Sequence, residues 1–183
     1  TVFQPQGFSL KFAGSRAVTE FEPLDPLEGV SAYFFGSDPS KWLNSVPHYG
    51  KLRARGVYEG IDVVYYAAGS QLEYDFVVKP GADASQIRLA FDGLDGMRLA
   101  PNGDLVLRTS RGEVTQAKPV AYQELDGKRM EVAASYRIAD GTVGIELGEY
   151  DPARELTIDP VLQFGGFVGA FVPTAIAQDR DGA

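Results

Sequence analysis

Leu72-Glu73-Tyr74-Asp75-Phe76 places large apolar residues at every second position with carboxylates between them. Successive side chains of an extended strand point to opposite faces of a sheet, so Leu72, Tyr74 and Phe76 share one face and Glu73 and Asp75 the other. A helix would scatter these residues around its axis, so the stretch predicts a half-buried strand, extended to Val78 by β-branched residues. The preceding run, Ile61 to Tyr66, has the same character and is joined to it across Ala68-Gly69-Ser70, which predicts a hairpin.

Short runs rich in Val, Ile, Tyr, Phe and Leu, each closed by Gly, Asp or Asn, recur in both directions from this pair. Before it lie Gly7 to Phe12, Val30 to Phe35 and Tyr49 to Arg55. After it come Ile87 to Phe91, Leu105 to Thr109, Glu113 to Ala117, Val120 to Leu125, Arg129 to Ile138, Thr142 to Leu147, Leu156 to Ile158 and Val161 to Phe164. Asn102-Gly103, Asp126-Gly127 and Asp140-Gly141 supply residues that tolerate positive φ, as tight hairpins require. Two places invite a brief helical turn. Asp38 can cap a turn that has Pro39 at its first position, and Gly81 to Gln86 can form another. Phe21 to Gly29, with Pro23 and Pro26, reads as a loop crossing between sheets. No amphipathic helix of 12 residues is visible, which disfavours a parallel α/β sheet. The expected fold is all-β: an antiparallel β-sandwich-like domain with one or two very short helical turns.

The chain has 183 residues, 44% hydrophobic and 23% charged, enough apolar surface for one ordinary core. The net charge of -8 and the lack of a concentrated basic face argue against a nucleic-acid partner. Lys51, Arg53 and Arg55 alternate with Leu52 and Ala54 and read as the solvated side of a strand. With no cysteine, disulfides, thiolate metal sites and cysteine nucleophiles are excluded. No apolar run reaches 18 residues, so no membrane-spanning helix is expected. The opening at Thr1, without an initiator methionine, reads as trimmed.

Chemistry-bearing residues are few. His48 is the sole histidine, which cannot form a two-histidine metal site, and it reads first as a local hydrogen-bonding residue. Glu73 and Asp75, about 6.5 to 7 Å apart at their α-carbons on one strand face, are the best acid/base candidates. Their bland reading is pairing with Arg53 and Arg55 across strands. Asp62 can join them across the hairpin, although no complete calcium loop occurs. Asp179-Arg180-Asp181-Gly182 starts like one and reads as a β-turn. Among 11 Phe, 9 Tyr and 1 Trp, Trp42, Tyr58 and Tyr66, together with Tyr33-Phe34-Phe35, are candidates for a stacking platform for sugar rings. Adjacent aromatics such as Tyr65-Tyr66 must face opposite sides, so one of each pair leaves the core and needs a cover, a partner or a ligand. The candidate ligand or surface patch is therefore Trp42, Tyr58, Tyr66, Glu73 and Asp75. There is no phosphate-cradling glycine motif, Gly-x-Ser-x-Gly elbow or His-Glu-x-x-His, and no cofactor is expected.

Several blocks in order, Ser37-Asp38-Pro39-Ser40-Lys41-Trp42, Val46-Pro47-His48-Tyr49-Gly50-Lys51-Leu52-Arg53, Val57 to Tyr66, Gln71 to Val78, Pro80 to Ile87, Gly103 to Leu107, Lys118 to Gln123 and Thr157 to Leu162, resemble a known family. It is the N-terminal domain of unknown function that precedes SBBP β-propeller repeats in bacterial surface and secreted proteins. The resemblance covers roughly Val30 to Ala183. It implies an exported, modular protein located outside the cytoplasm, with residues 1-162 as the β-sandwich-like domain and 163-183 as the start of a propeller repeat. It carries no catalytic residue. The expected function is a non-catalytic structural or interaction module that caps or presents the propeller, with adhesion or recognition as its task. The repeats of the same chain are the expected partner, with a glycan or protein ligand as a further one. A carbohydrate-binding module is the alternative, and a glycoside hydrolase is a more distant third.

Overall fold

A computed structural model describes residues 8–68, 71–160 and 162–163. Its strands, in chain order, are β1 (Ser9–Phe12), β2 (Phe21–Tyr33), β3 (Leu43–Tyr58), β4 (Ile61–Ala68), β5 (Gln71–Val78), β6 (Arg88–Asp92), β7 (Gly96–Leu99), β8 (Leu105–Thr109), β9 (Gly112–Gln116), β10 (Val120–Leu125), β11 (Lys128–Val132), β12 (Ala134–Ala139), β13 (Thr142–Leu147), β14 (Leu156–Asp159) and β15 (Leu162–Gln163). Two 3-10 turns, Pro39–Lys41 and Ala84–Gln86, are the helical elements. In each, an aspartate accepts from the amide two residues on, Asp38 from Ser40 and Asp83 from Ser85, satisfying a donor the turn leaves open.

All pairings are antiparallel and form three sheets. The largest runs β11-β10-β14-β5-β4-β3-β2, and two four-stranded sheets run β1-β6-β13-β12 and β15-β9-β8-β7. One core cluster draws on all three: Leu10, Phe12, Leu89 and Val143 from the first small sheet, Leu105, Leu107 and Val114 from the second, and Val63, Tyr74, Phe76, Leu156 and Ile158 from the large one. The all-β, sandwich-like architecture is thus present. The Phe12 ring lies 5.5 Å from Tyr74, tilted, and 5.1 Å from Phe76, edge-on, and these contacts tie the layers together. Such aromatic pairs add about 0.5 to 1.5 kcal/mol each beyond area burial.

The hairpin turns follow their chemistry. Asp126-Gly127 and Asp140-Gly141 have positive φ at both central residues, as the twist-matched two-residue turn demands, and close β10 onto β11 and β12 onto β13. Arg129 to Ile138 is two strands instead of one. It breaks at Ala133, where β11 of the large sheet gives way to β12 of a small one, and the Gly148 amide donates to the Ala133 carbonyl at 2.7 Å.

The expected crossing loop at Phe21 to Gly29 is instead the first part of β2, paired with β3 from Phe21–Ala54 to Tyr33–Leu43. Its prolines are accommodated because β2 is the edge strand of the large sheet, the position where a sheet tolerates proline. β7, four residues with Gly96 and Arg98 alternating with Met97 and Leu99, is not among the expected strands and pairs with β8. The domain boundary expected between 162 and 163 falls within β15. Residues 164–183, including the expected propeller start and Asp179-Arg180-Asp181-Gly182, lie outside the described residues.

Gly60 turns β3 into β4 with φ +70, and a Cβ there would stand 2.6 Å from that of Ala82. Gly81 has φ +77 with open space around it. Gly81→Ala should therefore cost only the left-handed backbone penalty, about 1 to 2 kcal/mol, whereas Gly60→Ala adds about 1 to 3 kcal/mol of overpacking. Urea denaturation of the two variants measures the difference, and equal costs would remove Ala82 from the explanation.

Candidate functional site

The register of the large sheet decides which polar side chains meet. β4 pairs with β5 so that Val64 lies opposite Asp75 and Tyr66 opposite Glu73, and β3 places Lys51 opposite Tyr66. On the other side of β5, β14 runs from Leu156–Val78 to Ile158–Phe76, which brings Asp159 beside Asp75 on the next rung. Val120 of β10 lies opposite Asp159, and β11 adds Arg129 opposite Glu124. Because Tyr74, Phe76 and Ile158 fill the core, their strand neighbours Glu73, Asp75 and Asp159 share the outer face.

This face has a defined hydrogen-bond and charge pattern. The Tyr66 hydroxyl donates to Asp75 Oδ1 at 2.9 Å. Lys51 Nζ sits 5.9 Å from the Tyr66 ring centre, and the Arg129 guanidinium stacks 4.2 Å above Tyr122. Burial raises the Asp75 carboxyl above its ordinary value, opposed by the Tyr66 hydrogen bond and the charge of Lys51. Burial, with the negative charges of Asp75 and Glu73, pushes Asp159 from 3.8 up to about 6, and its Oδ1 is buried without a hydrogen-bond partner. Burial and the charge of Asp75 also raise the Tyr66 phenol, which keeps it a hydrogen donor at neutral pH.

The candidate patch does not assemble as one surface. Tyr66, Glu73 and Asp75 come together. Tyr58 is corrected to a core residue: it is 3% exposed, and its hydroxyl is shared between the carbonyls of Ala13 and Arg88 while accepting from the Arg88 amide. Trp42 caps the first 3-10 turn, with Nε1 on the Gly36 carbonyl and its ring edge-on to Phe34 at 5.2 Å. It lies nine residues of strand beyond Lys51, roughly 30 Å along β3. The expected partners of the acids are also corrected. With β4 between β5 and β3, Arg53 and Arg55 pair with Glu22, at 3.6 and 2.8 Å. Asp62 is 1% exposed and accepts from the Gly56 amide and from Lys79 Nζ, each at 2.9 Å. That fixes the bulge in β3 between Ala54 and Tyr58 and leaves Asp62 outside the acidic group.

Among the described residues, no group of three or more His, Asp or Glu side chains is placed to hold a metal ion, and no helix is long and apolar enough to cross a membrane. His48 Nε2 meets Ser31 Oγ at 2.7 Å between β2 and β3, a local bond of the kind the sequence suggests. Two depressions of about 140 Å³, one beside Met97 and Glu113 and one beside Arg137 and Glu146, are smaller than the roughly 300 Å³ where ligand pockets begin.

A second exposed feature is built by β2 and β3. β4 pairs with β3 only from Lys51 onward, so Leu43–Gly50 of β3 and the facing part of β2 hold each other alone. They form a two-stranded arm that adds no residue to the core. It leaves Leu27, Val30, Tyr33, Phe34, Phe35, Leu43 and Tyr49 between 43% and 63% exposed. Tyr33 stacks with Phe35 at 6.2 Å, beside the Phe34–Trp42 pair.

With this geometry described, comparison with known proteins finds one family model, "Domain of unknown function (DUF7948)", matching residues 3–161. The chain belongs to that family. No curated protein and no solved structure matches the sequence. The family match spans the large sheet from β2 to β14 and both exposed features, the acidic face and the arm.

Sequence reading missed two elements of these features. Asp159 reads as part of an Asp-Pro turn, and the alternation Thr157-Ile158-Asp159 assigns it a face without revealing its neighbour. The arm was hidden because Pro23 and Pro26 mask β2.

The Asp159 carboxyl supplies a pH test. Raised from 3.8 to about 6 in the folded chain, it binds its proton more tightly folded than unfolded. Its favourable contribution is therefore complete below about pH 4 and lost as pH rises through about 6. After allowance for solvent screening, the loss is on the order of 1 kcal/mol. Stability measured by urea denaturation from pH 4 to 7 should fall more for the wild type than for Asp159→Asn, and parallel curves would refute the assignment.

Proposed function

We propose that the chain is a non-catalytic interaction module whose contact element is the β2–β3 arm. The observation that carries this reading is the arm itself: seven large apolar side chains stand in solvent on a hairpin that does nothing for the core. Large apolar side chains gathered on an element that the core does not use are a mark of an interaction surface. Tyr, Phe and Trp are also the residue types enriched where interfaces are tightest.

The path of the chain supports the capping or presenting role. β14 runs antiparallel to β5, toward the end of the large sheet from which the arm projects, and the chain then pairs with β9 as β15. Propeller repeats following residue 163, as the family resemblance implies, would begin on the arm's side of the domain. The same resemblance supports placement outside the cytoplasm, on a bacterial surface or in its secretions, and adhesion or recognition as the task.

Carbohydrate binding fits less well. Its aromatic platform is divided between the core at Tyr58, the arm at Trp42 and the sheet face at Tyr66, and the Tyr66 hydroxyl is engaged by Asp75. A glycoside hydrolase needs two carboxyls facing each other across a bound sugar. Asp75 and Asp159 instead stand side by side on neighbouring strands of one sheet face.

Amide hydrogen exchange of residues 27–50 tests the proposal in two settings: the 183-residue chain, and the same chain expressed in line with the repeats expected after it. Slower exchange in the longer protein is expected. Phe34→Ser with Phe35→Ser should restore fast exchange there while changing stability by less than about 0.5 kcal/mol, as surface changes do. An arm that exchanges equally fast in both settings removes the repeats as its partner.

A further inference from the structure

Asp75 and Asp159 stand on the same rung of neighbouring strands, on one face of the large sheet, where strands run about 4.8 Å apart. Like charges so placed destabilise a sheet unless something neutralises them. The cations whose charge reaches the pair, Lys51 of β3 and Arg129 of β11, are engaged elsewhere. Lys51 lies over the Tyr66 ring and 3.4 Å from Asp25, and Arg129 lies over Tyr122 and 4.0 Å from Glu124. Among the described residues neither Asp75 nor Asp159 has an ion-pair partner. Glu73 adds a third negative charge on the same face.

The hydrogen bonds are as uneven as the charges. Tyr66 donates to Asp75 Oδ1, while Asp159 Oδ1 is buried with no hydrogen-bond partner. A proton held between two carboxyls removes one of the like charges and gives the orphaned oxygen its bond in a single step. The rise of the Asp159 carboxyl to about 6 agrees with this. From the core side the Tyr74 and Tyr136 phenols feel the Asp159 charge, but burial raises both, so neither gives up a proton at neutral pH.

The pair sits where the chain leaves the large sheet. Asp159 is the last residue of β14, and Pro160 after it has no amide hydrogen to anchor. Among the described residues, the holds beyond it are the Gln116 side-chain amide, which donates to the Pro160 carbonyl at 3.3 Å, and the two pairs that join β15 to β9. β5 is held by β4 on one side and β14 on the other, so repulsion between the two carboxylates is relieved at the β14 end. We propose that Asp75 and Asp159 share one proton, and that its loss releases the end of β14 together with β15, which makes the exit from the large sheet a pH-sensitive latch. The latch makes no use of the arm and stands or falls apart from it.

Two measurements on the 183-residue chain test it. Carbon-13 NMR of the aspartate carboxyls should show Asp75 and Asp159 titrating as a coupled pair with its upper step near 6. Asp75→Asn should lower the Asp159 midpoint. Amide exchange at residues 115–116 and 162–163, corrected for its intrinsic pH dependence, should speed up roughly ten- to a hundredfold from pH 4 to 7, as expected for a carboxyl that titrates near 6 when held and near 3.8 when released. At pH 7 these amides should exchange faster than those of β8, because the opening is local. In Asp159→Asn the pH dependence should vanish. An Asp159 that titrates near 3.8 in the wild type overturns the latch, as does a midpoint unmoved by Asp75→Asn. β15 amides that open no faster than β8 at any pH, or that keep their pH response in Asp159→Asn, overturn it too. The wild-type titration and exchange decide the matter even where a variant fails to fold.

Discussion

A strand at the centre of a sheet must satisfy two environments with one sequence, and β5 is where this chain meets that demand. Tyr74 and Phe76 face inward and are almost completely buried, while Glu73 and Asp75, one residue away from each, face outward. A register slip of one residue would drive both carboxylates into the core and both rings into water. The cost of that exchange fixes β4 and β14 on either side, and through them Tyr66, Lys51 and Asp159. The outer acidic face is thus a by-product of core packing as much as a surface in its own right. Asp159, whose Oδ1 is buried without a hydrogen-bond partner, marks a place where the two demands conflict.

The arm obeys no such demand. Once β3 passes Lys51 toward its start it has no β4 neighbour, and neither face of the hairpin meets another layer. Its aromatics are held by one another, as Tyr33 on Phe35 and Phe34 on Trp42, and not by the fold. Residues that the domain does not need for its own stability are free to be spent on association. Pro26 and Pro47, on the two strands of the arm, discourage edge-to-edge polymerisation.

Much of the fold was legible because the physical signals are local. Period-two alternation marks β5, Asp-Gly pairs mark the β10–β11 and β12–β13 turns, and Asp38-Pro39 marks a capped turn. What failed was of two kinds. Strands whose composition argues against them, such as β2 with its prolines and β7 with Gly96 and Arg98, exist only because a neighbouring strand supplies the template. Contacts set by strand order were equally invisible. That Arg53 and Arg55 meet Glu22 instead of Glu73 and Asp75, and that Asp159 sits beside Asp75, depends on β4 and β14 flanking β5. Tyr58 shows the same limit on a smaller scale. Its aromatic character is plain in the sequence, but its burial against Arg88 depends on a pairing 30 residues away.

The position of β14 has a consequence for how the molecule is made. This strand is the last of the large sheet in chain order, yet it lies between β10 and β5 and joins the two halves of that sheet. Until residues 156–159 emerge, β5 has an open edge and the β10–β11 hairpin has nowhere to dock. The nascent domain must therefore wait with its central edge unpaired, and the large sheet closes by a single insertion once residues 156–159 have emerged.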